Sequence, residues 1–254
     1  MVSVLALALL LVAAACSNGS ETTITVVPPL TATATGQGDS PEPTNDATSA
    51  PTSAPTATPT PGDDGSIIVA CDDQLVPLDK LHRLPSDCEP ANLVNVPGEY
   101  TWGGSQLMTA EAADALVTML EAGAEDGYFM FAASSYRNYQ HQVDTFQMWV
   151  NRLGEAEAEK QSARPGHSEH QLGTTTDLTI AANGGDLDAF RGTPEAEWVA
   201  QHSWKFGFIV SYPPDLEHVT GYVWEPWHVR YVGVDVAADV HASGLTLGEY
   251  LKQR

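Results

Sequence analysis

Two short stretches of the chain combine imidazole and carboxylate side chains at spacings that suit a metal ion. Ser168 to Asp177 places His170 seven positions before Asp177, with a glycine and three threonines between them. His228 follows about fifty residues later, and Glu225 lies three positions before it. Two His and one Asp form a ligand set that a catalytic zinc ion uses while its fourth position is left to water. Glu225 is suited to act as the general base of such a site.

The residues around Asp177 are typical of a turn that leads into a strand. Gly173 and the β-branched run Thr174 to Thr176 argue against a continuous helix. On a strand, Leu178 and Ile180 face one side and Asp177 the other, so we expect the apolar side in the core and Asp177 in a cleft. A carboxylate buried in mid-strand costs free energy unless it binds a partner, which favours ligation.

Residue types and spacing leave several alternatives open. The chain has eight histidines, so two of them and an aspartate could be grouped by chance. Glu225 could orient a histidine instead of moving a proton. Arg137 follows an apolar strand on a Ser-Ser-Tyr loop and could stabilise an oxyanion or bind a carboxylate. An arginine on a loop is also often simply solvated.

The charge distribution argues against two classes of partner. The formal net charge is −22, and all 11 Lys and Arg lie at or after Lys80. Acidic side chains outnumber basic ones on both sides of that position. Because phosphate binding needs clustered Lys and Arg, we expect no nucleic acid partner. The same acidity argues against electrostatic adsorption to anionic lipid.

Residues 1–16 are typical of an export signal. The run 2–15 is apolar except for Ser3, and it is shorter than the ~20 residues that a membrane-spanning helix needs. Small residues precede Cys16, which resembles a bacterial lipobox in which Cys16 becomes the lipidated first residue. We therefore expect an exported, membrane-anchored lipoprotein whose contact with the membrane is the lipid on Cys16. A plain secretory signal is the alternative.

Two further regions follow the signal. Residues 17–65 are rich in Thr, Pro and Ser and predict a disordered tether, which the prolines stiffen. Residues 66–254 predict a single compact α+β domain, with a small antiparallel sheet flanked by helices. The predicted helices are 110–122, 138–152, 155–160, 193–202, 234–241 and 245–252. The predicted strands are 66–70, 128–133, 175–180, 206–211, 221–224 and 228–232.

Cys71 and Cys88 form an even pair once Cys16 is set aside. Export implies an oxidising compartment, so the sequence predicts a disulfide between them. Closing a loop of this size would contribute roughly 3 kcal/mol in the chain-entropy model. Their wide separation, with no CxxC pair and no adjacent His, disfavours the alternative that they bind a metal.

Five motifs in the second half of the chain carry a family resemblance. They are Ser135 to Tyr139, Pro165 to Gly173, Tyr212-Pro213, Thr220 to Tyr222 and Glu225 to Gly233. In this order they resemble the VanY-type D-alanyl-D-alanine carboxypeptidases, which are zinc peptidases of the wider peptidoglycan-cleaving LAS group. The resemblance runs from about Leu75 to the C-terminus.

The resemblance implies a role for each matched position. The Zn²⁺ ligands would be His170, Asp177 and His228. Glu225 would serve as general base and acid, and Arg137 would stabilise the tetrahedral intermediate. Two residues, Gln142 and Ser168, lie where the family contacts its substrate. His167, beside the site, could compete for the metal.

The function implied is that of a zinc-dependent carboxypeptidase that removes the C-terminal D-alanine from peptidoglycan stem peptides. We expect a monomer in the cell envelope that faces the cell wall. An L,D-carboxypeptidase or a peptidoglycan endopeptidase shares the metal motif, so both alternatives stay open. A catalytically inactive wall-binding module is a further alternative, although the ligands and Glu225 are all present.

Overall fold

The strands of the folded chain group into three sheets. The computed structural model describes residues 60–254, so the predicted signal, Cys16 and the predicted linker up to residue 59 lie outside the described residues. The strands are β1 (Thr60–Pro61), β2 (Ile67–Ile68), β3 (His82–Arg83), β4 (Leu93–Asn95), β5 (Leu107–Thr109), β6 (Phe131–Ser134), β7 (Thr175–Thr179), β8 (Phe208–Val210) and β9 (His228–Tyr231). They form the sheets β1-β2-β3, β4-β5 and β6-β7-β9-β8. β1 falls within the range that the sequence assigns to the linker.

The described part of the chain has seven α-helices. They are α1 (Ala110–Glu125), α2 (Tyr139–Leu153), α3 (Glu155–Gln161), α4 (Pro194–His202), α5 (Glu217–Thr220), α6 (Val234–Ser243) and α7 (Leu247–Leu251). In the part of the chain that the structure describes, none of these helices has the length and apolarity needed to cross a membrane. The predicted α+β fold is confirmed.

The four-stranded sheet is antiparallel throughout and has two chemically different faces. Leu178 of β7 and Val229 of β9 are fully buried in the main core, together with side chains of α1 and α4. Their strand neighbours Asp177 and His228 line a cleft on the other face. The expectation that Asp177 faces a cleft while Leu178 enters the core is confirmed.

Most element boundaries lie within a few residues of the predicted ones, and α1 shows why they shift. It begins after Thr109 as predicted but continues two residues past Gly123, where the sequence suggested its end. A Cβ on Gly123 would lie 2.8 Å from Met130 Cε. The glycine is therefore a close-packing position inside the helix and does not end it.

The predicted strand 221–224 is wrong. Gly221 has a left-handed backbone (φ +77°) and ends α5. Beyond it, the amide of Tyr222 donates to Thr220 Oγ1 at 3.2 Å and that of Val223 to the carbonyl of Lys160 at 3.1 Å. The backbone amides of this segment therefore donate to a turn and to α3 and not to a neighbouring strand, although the apolar residues suit a strand.

The predicted disulfide between Cys71 and Cys88 is confirmed, with Cα atoms 5.5 Å apart. Cys88 belongs to a small apolar cluster that includes Leu84 and Leu172. Leu172 precedes Gly173 in the turn after His170, so the loop closed by the disulfide packs against the segment that carries the first predicted ligand.

Candidate metal centre

Three of the predicted site residues meet in the cleft. One ligand atom from each of His170, Asp177 and His228 lies within 4.8 Å of the others, and all three side chains are buried. The two imidazole rings are nearly perpendicular, at 89°, with centroids 5.0 Å apart. Asp177 lies between them, with Oδ2 3.2 Å from His170 Nε2 and Oδ1 3.1 Å from His228 Nδ1.

His170 is oriented by a tight turn and by one backbone carbonyl. It lies in a 3₁₀ turn, Glu169–Leu172, that ends at Gly173 with a left-handed backbone. Its Nδ1 donates to the carbonyl of Ser135 at 2.7 Å, so the proton of the neutral ring is on Nδ1. Burial lowers the pKa of His170, against the opposing charge of Asp177, which favours this neutral form. The Nε2 lone pair consequently faces Asp177.

His228 is held between two carboxylates. Nε2 donates to Glu169 Oε2 at 2.9 Å, while Nδ1 lies 3.1 Å from Asp177 Oδ1. Burial by itself would lower the pKa of His228, but the hydrogen bonds to Asp177 and Glu169 prevail and raise it to about 10. The two carboxylates therefore favour the protonated ring, and a metal that binds Nδ1 must displace the proton there.

The donor set fits zinc. The lone pair of His170 Nε2 points at Asp177 Oδ2, and this contact is unfavourable unless a cation lies between the two atoms. The second carboxylate oxygen of Asp177, Oδ1, faces His228 Nδ1. Hydrogen bonds to the carbonyl of Ser135 and to Glu169 fix the other nitrogen of each ring. Oriented imidazoles of this kind, together with one carboxylate, are typical of zinc sites that keep an open position.

Glu225 lies beside the ligands at the edge of the cleft. Its Oε2 is 3.7 Å from His228 Nδ1, and its side chain is buried. Burial raises the pKa of Glu225 to about 8, although the charge of His228 opposes the shift. The backbone holds the residue in place, because its amide donates to the carbonyl of Tyr212 at 3.0 Å. A carboxylate at this distance can exchange a proton with a water molecule at the metal.

Arg137 lines the same cleft and its guanidinium is hydrogen-bonded, so the solvated-surface alternative does not describe it. Nη1 donates to Gln142 Oε1 at 2.9 Å and Nη2 donates to Ser134 Oγ at 3.0 Å. The backbone amide of Arg137 also donates to the carbonyl of His170 at 3.2 Å. Arg137 is therefore fixed relative to His170, and its guanidinium keeps donors that these bonds do not use.

The two predicted substrate contacts, Gln142 and Ser168, also line the cleft. Gln142 is almost fully buried, and its amide nitrogen donates to the carbonyl of Ala163 at 2.7 Å. Its amide oxygen accepts from Arg137. In this arrangement Gln142 orients the arginine, so any contact with substrate has to be made in addition to these bonds.

His167 points away from the metal site. Its Nδ1 lies 2.7 Å from the carbonyl of Asp79, and His167 is not among the described residues that line the cleft. The group of side chains that could hold a metal does not include it within residues 60–254. The structure therefore removes His167 from the ligand set.

Four residues at the site had no role predicted from the sequence. They are Glu169, Tyr212, Arg230 and Arg191. The Tyr212 ring lies 4.7 Å from that of His228, and Arg191 donates to the carbonyl of Trp224 at 2.8 Å while its guanidinium stacks over Trp227. A second acid adjacent to His170 was the one signal in the sequence that could have indicated Glu169.

The cleft has a volume of about 360 Å³ and extends away from the metal ligands. One wall is formed by α2 through Thr145 and Trp149, and the other by the loop that contains Asp186 and Leu187. The dimensions suit an extended peptide end whose last bond reaches the ligands.

Comparison with known families decides the assignment. The family model of VanY, described as D-alanyl-D-alanine carboxypeptidase, matches residues 105–234, which include every predicted site residue. The chain belongs to the VanY family. A D-alanyl-D-alanine carboxypeptidase of Enterococcus faecalis (strain ATCC 700802 / V583) is 34% identical over 170 residues. The match covers 61% of this chain and 62% of that protein, so the chain spans less than two thirds of its relative.

Two solved structures share the fold of this chain. The LdcB LD-carboxypeptidase has a TM-score of 0.68 and 37% sequence identity, covering 74% of this chain and 91% of the other. The vancomycin resistance D,D-pentapeptidase VanY, solved as a mutant in complex with Zn(II), has a TM-score of 0.59 and 29% identity. That match covers 70% of this chain and 98% of the other. The recognised resemblance is thereby confirmed.

Proposed function

We propose that the chain is a zinc-dependent D-alanyl-D-alanine carboxypeptidase that removes the C-terminal D-alanine from peptidoglycan stem peptides. The observation that carries the proposal is the convergence of His170, Asp177 and His228 within 4.8 Å, with Glu225 3.7 Å from His228. Membership of the VanY family supports the same reaction.

A zinc ion held by these ligands would act as a Lewis acid on the scissile carbonyl and make water acidic enough to lose a proton near neutral pH. Glu225 takes that proton as the water oxygen adds to the carbonyl carbon. It then delivers the proton to the amine nitrogen as the C–N bond breaks, which releases D-alanine. Burial of Glu225 keeps the carboxylate away from competing solvent.

Arg137 stabilises the charge that develops on the carbonyl oxygen. Its two hydrogen bonds to Gln142 and Ser134 hold the guanidinium in one place before the substrate arrives. A donor fixed in advance does not have to reorganise during the reaction, which makes its stabilisation of the transition state larger. Ser168, at the cleft surface, is proposed to contact the substrate.

The proposal for location rests on the sequence. Residues 1–16 would be the signal peptide, Cys16 the lipidated residue and 17–65 a tether for the catalytic domain 66–254. A monomer anchored in this way would reach stem peptides in the cell wall. Extraction of the full-length protein with detergent, and its conversion to a soluble form by Cys16→Ser, would test the anchor.

An L,D-carboxypeptidase is the alternative that a specific observation favours, because LdcB is the more similar of the two solved structures. The two activities differ in the bond they cut. A D,D-enzyme shortens a pentapeptide stem by one D-alanine, and an L,D-enzyme shortens a tetrapeptide stem.

Mass spectrometry of both stems after incubation with the zinc-loaded chain tests the proposal. We expect loss of one D-alanine from the pentapeptide and an unchanged tetrapeptide. Shortening of the tetrapeptide alone would replace the proposal by the L,D reading. Binding to peptidoglycan with neither product would indicate an inactive wall-binding module.

A further inference from the structure

We propose that Glu169 is a positioning residue for the metal centre, which fixes His228 so that its Nδ1 faces the metal. The inference rests on the proposed function, because it takes His228 as a zinc ligand. Glu169 is 4% exposed and lies behind the His228 ring, on the side opposite Asp177.

The hydrogen bonds of Glu169 fix the proton on His228. Its Oε2 accepts from His228 Nε2 at 2.9 Å and from Ser211 Oγ at 2.6 Å, and its Oε1 accepts from Arg230 Nη1 at 2.8 Å. An ionised carboxylate can only accept, so Nε2 must carry a proton. When the ring is neutral, its lone pair is therefore on Nδ1, directed toward Asp177.

Arg230 anchors this carboxylate to rigid parts of the fold. It lies two positions after His228 on the same face of β9 and is fully buried. Its Nη2 donates to the carbonyls of Gln74 and Val76, both at 2.8 Å, within the loop closed by the disulfide. A planar guanidinium can reach all three acceptors at once, which the single ammonium of lysine does less well.

The position of Glu169 in the chain links the two histidine ligands. It is adjacent to His170 in the 3₁₀ turn Glu169–Leu172, so one turn presents the first ligand and orients the second. The carboxylate partner of a metal-binding histidine typically contributes 10- to 100-fold to metal affinity, by fixing the tautomer and the ring direction. We assign that contribution to Glu169.

Glu169→Gln tests the assignment with almost no change in volume. Glutamine has one oxygen, so its NH₂ group must face either Arg230 or the His228–Ser211 pair, and both already donate. In the full-length protein we expect zinc affinity to fall roughly 10- to 100-fold in competition with a chelator. Long-range ¹H–¹⁵N NMR of the zinc-loaded protein should show a changed Nε2–H signal for His228.

Asp79→Asn is the matched control. Asp79 Oδ1 accepts from His82 Nδ1 at 2.9 Å, which makes it a second carboxylate–imidazole pair, outside the metal centre. We expect this variant to lose stability but to bind zinc as the wild type does. A general effect of weakening the fold would instead lower zinc affinity in both variants.

Ser211→Ala is a second variant, which tests the same role if Glu169→Gln does not fold. It removes the Ser211 hydroxyl, one of the two donors to Glu169 Oε2, and should weaken zinc binding by a smaller factor than Glu169→Gln does. Unchanged zinc affinity in the folded variants would overturn the role of Glu169. A wild-type protein that binds no zinc would instead contradict the proposed function itself.

Discussion

Asp177 and His228 lie directly opposite each other in the antiparallel pairing of β7 with β9. The same register pairs Thr175 with Arg230 and Thr176 with Val229. A slip of one residue would turn Asp177 toward the core and leave His228 without its partner. Backbone hydrogen bonds between the two strands therefore set the relative position of these two proposed metal ligands.

His228→Ala should abolish tight zinc binding. Loss of an outer carboxylate partner costs about 10- to 100-fold in affinity, so loss of a direct ligand should exceed that range. Atomic absorption of the purified variant measures it. His82→Ala, at the imidazole outside the centre, is the control and should keep full zinc content. Full occupancy in His228→Ala would remove it from the ligand set.

Glu225→Ala should retain zinc and lose hydrolysis. Removal of a general base typically costs 10²- to 10⁴-fold in rate, and Glu225 is not one of the three converging ligands. The measurement is kcat on a pentapeptide stem beside zinc content by atomic absorption. Glu197→Ala, an exposed position on α4, should match the wild type in both. Unchanged turnover in Glu225→Ala would contradict its role.

Arg191→Gln should lower kcat while zinc content stays unchanged. Arg191 donates to the carbonyl of Trp224 through Nε and Nη2 and stacks over the Trp227 ring at 4.5 Å, so it holds the segment on both sides of Glu225. A misplaced catalytic group can cost up to about 100-fold in rate.

The control for Arg191 is Lys205→Gln, a cation that lies over the Trp204 ring at 5.8 Å, away from the cleft. Its kinetic constants should equal those of the wild type. A loss of zinc in Arg191→Gln would show that the arginine supports the ligands and not only Glu225.

Asp79→Asn should destabilise the fold in a pH-dependent way. Burial would raise the pKa of Asp79, but hydrogen bonds from Leu81 and His82 prevail and lower it to about 2. The folded pKa lies below the unfolded one, so the stabilisation is present above pH 4 and is lost as the pH falls through about 2. At about 1.4 kcal/mol for each pKa unit, the variant should lose roughly 2 kcal/mol at pH 7.

Denaturant unfolding of Asp79→Asn and wild type at pH 7, 4 and 3 measures this difference. It should shrink toward low pH, because below about pH 4 the Asp79 carboxylate of the unfolded wild type binds a proton that the folded state does not yet bind. Asp114→Asn, an exposed position on α1, is the control and should differ little from wild type at each pH. A difference independent of pH would show that Asp79 acts through packing alone.

Local patterns made much of the fold predictable. Helices at α1, α2 and α4 begin close to their predicted first residues, because cap residues and apolar periodicity act over a few neighbours. The prediction of a strand at 221–224 was wrong because a distant partner determines the conformation of that segment. Its composition suits a strand, but Val223 bonds to the distant carbonyl of Lys160, and no short-range pattern indicates that partner.

The sequence by itself determined which side chains could do the chemistry: two imidazoles, one carboxylate, a nearby glutamate and an arginine. Only the tertiary structure decided how they meet. It placed Asp177 opposite His228, turned His167 toward Asp79, and brought Glu169 to a histidine 59 positions away. Spacing along the chain limits what a local segment can form, whereas the direction of a ring nitrogen depends on partners that approach only when the strands pair.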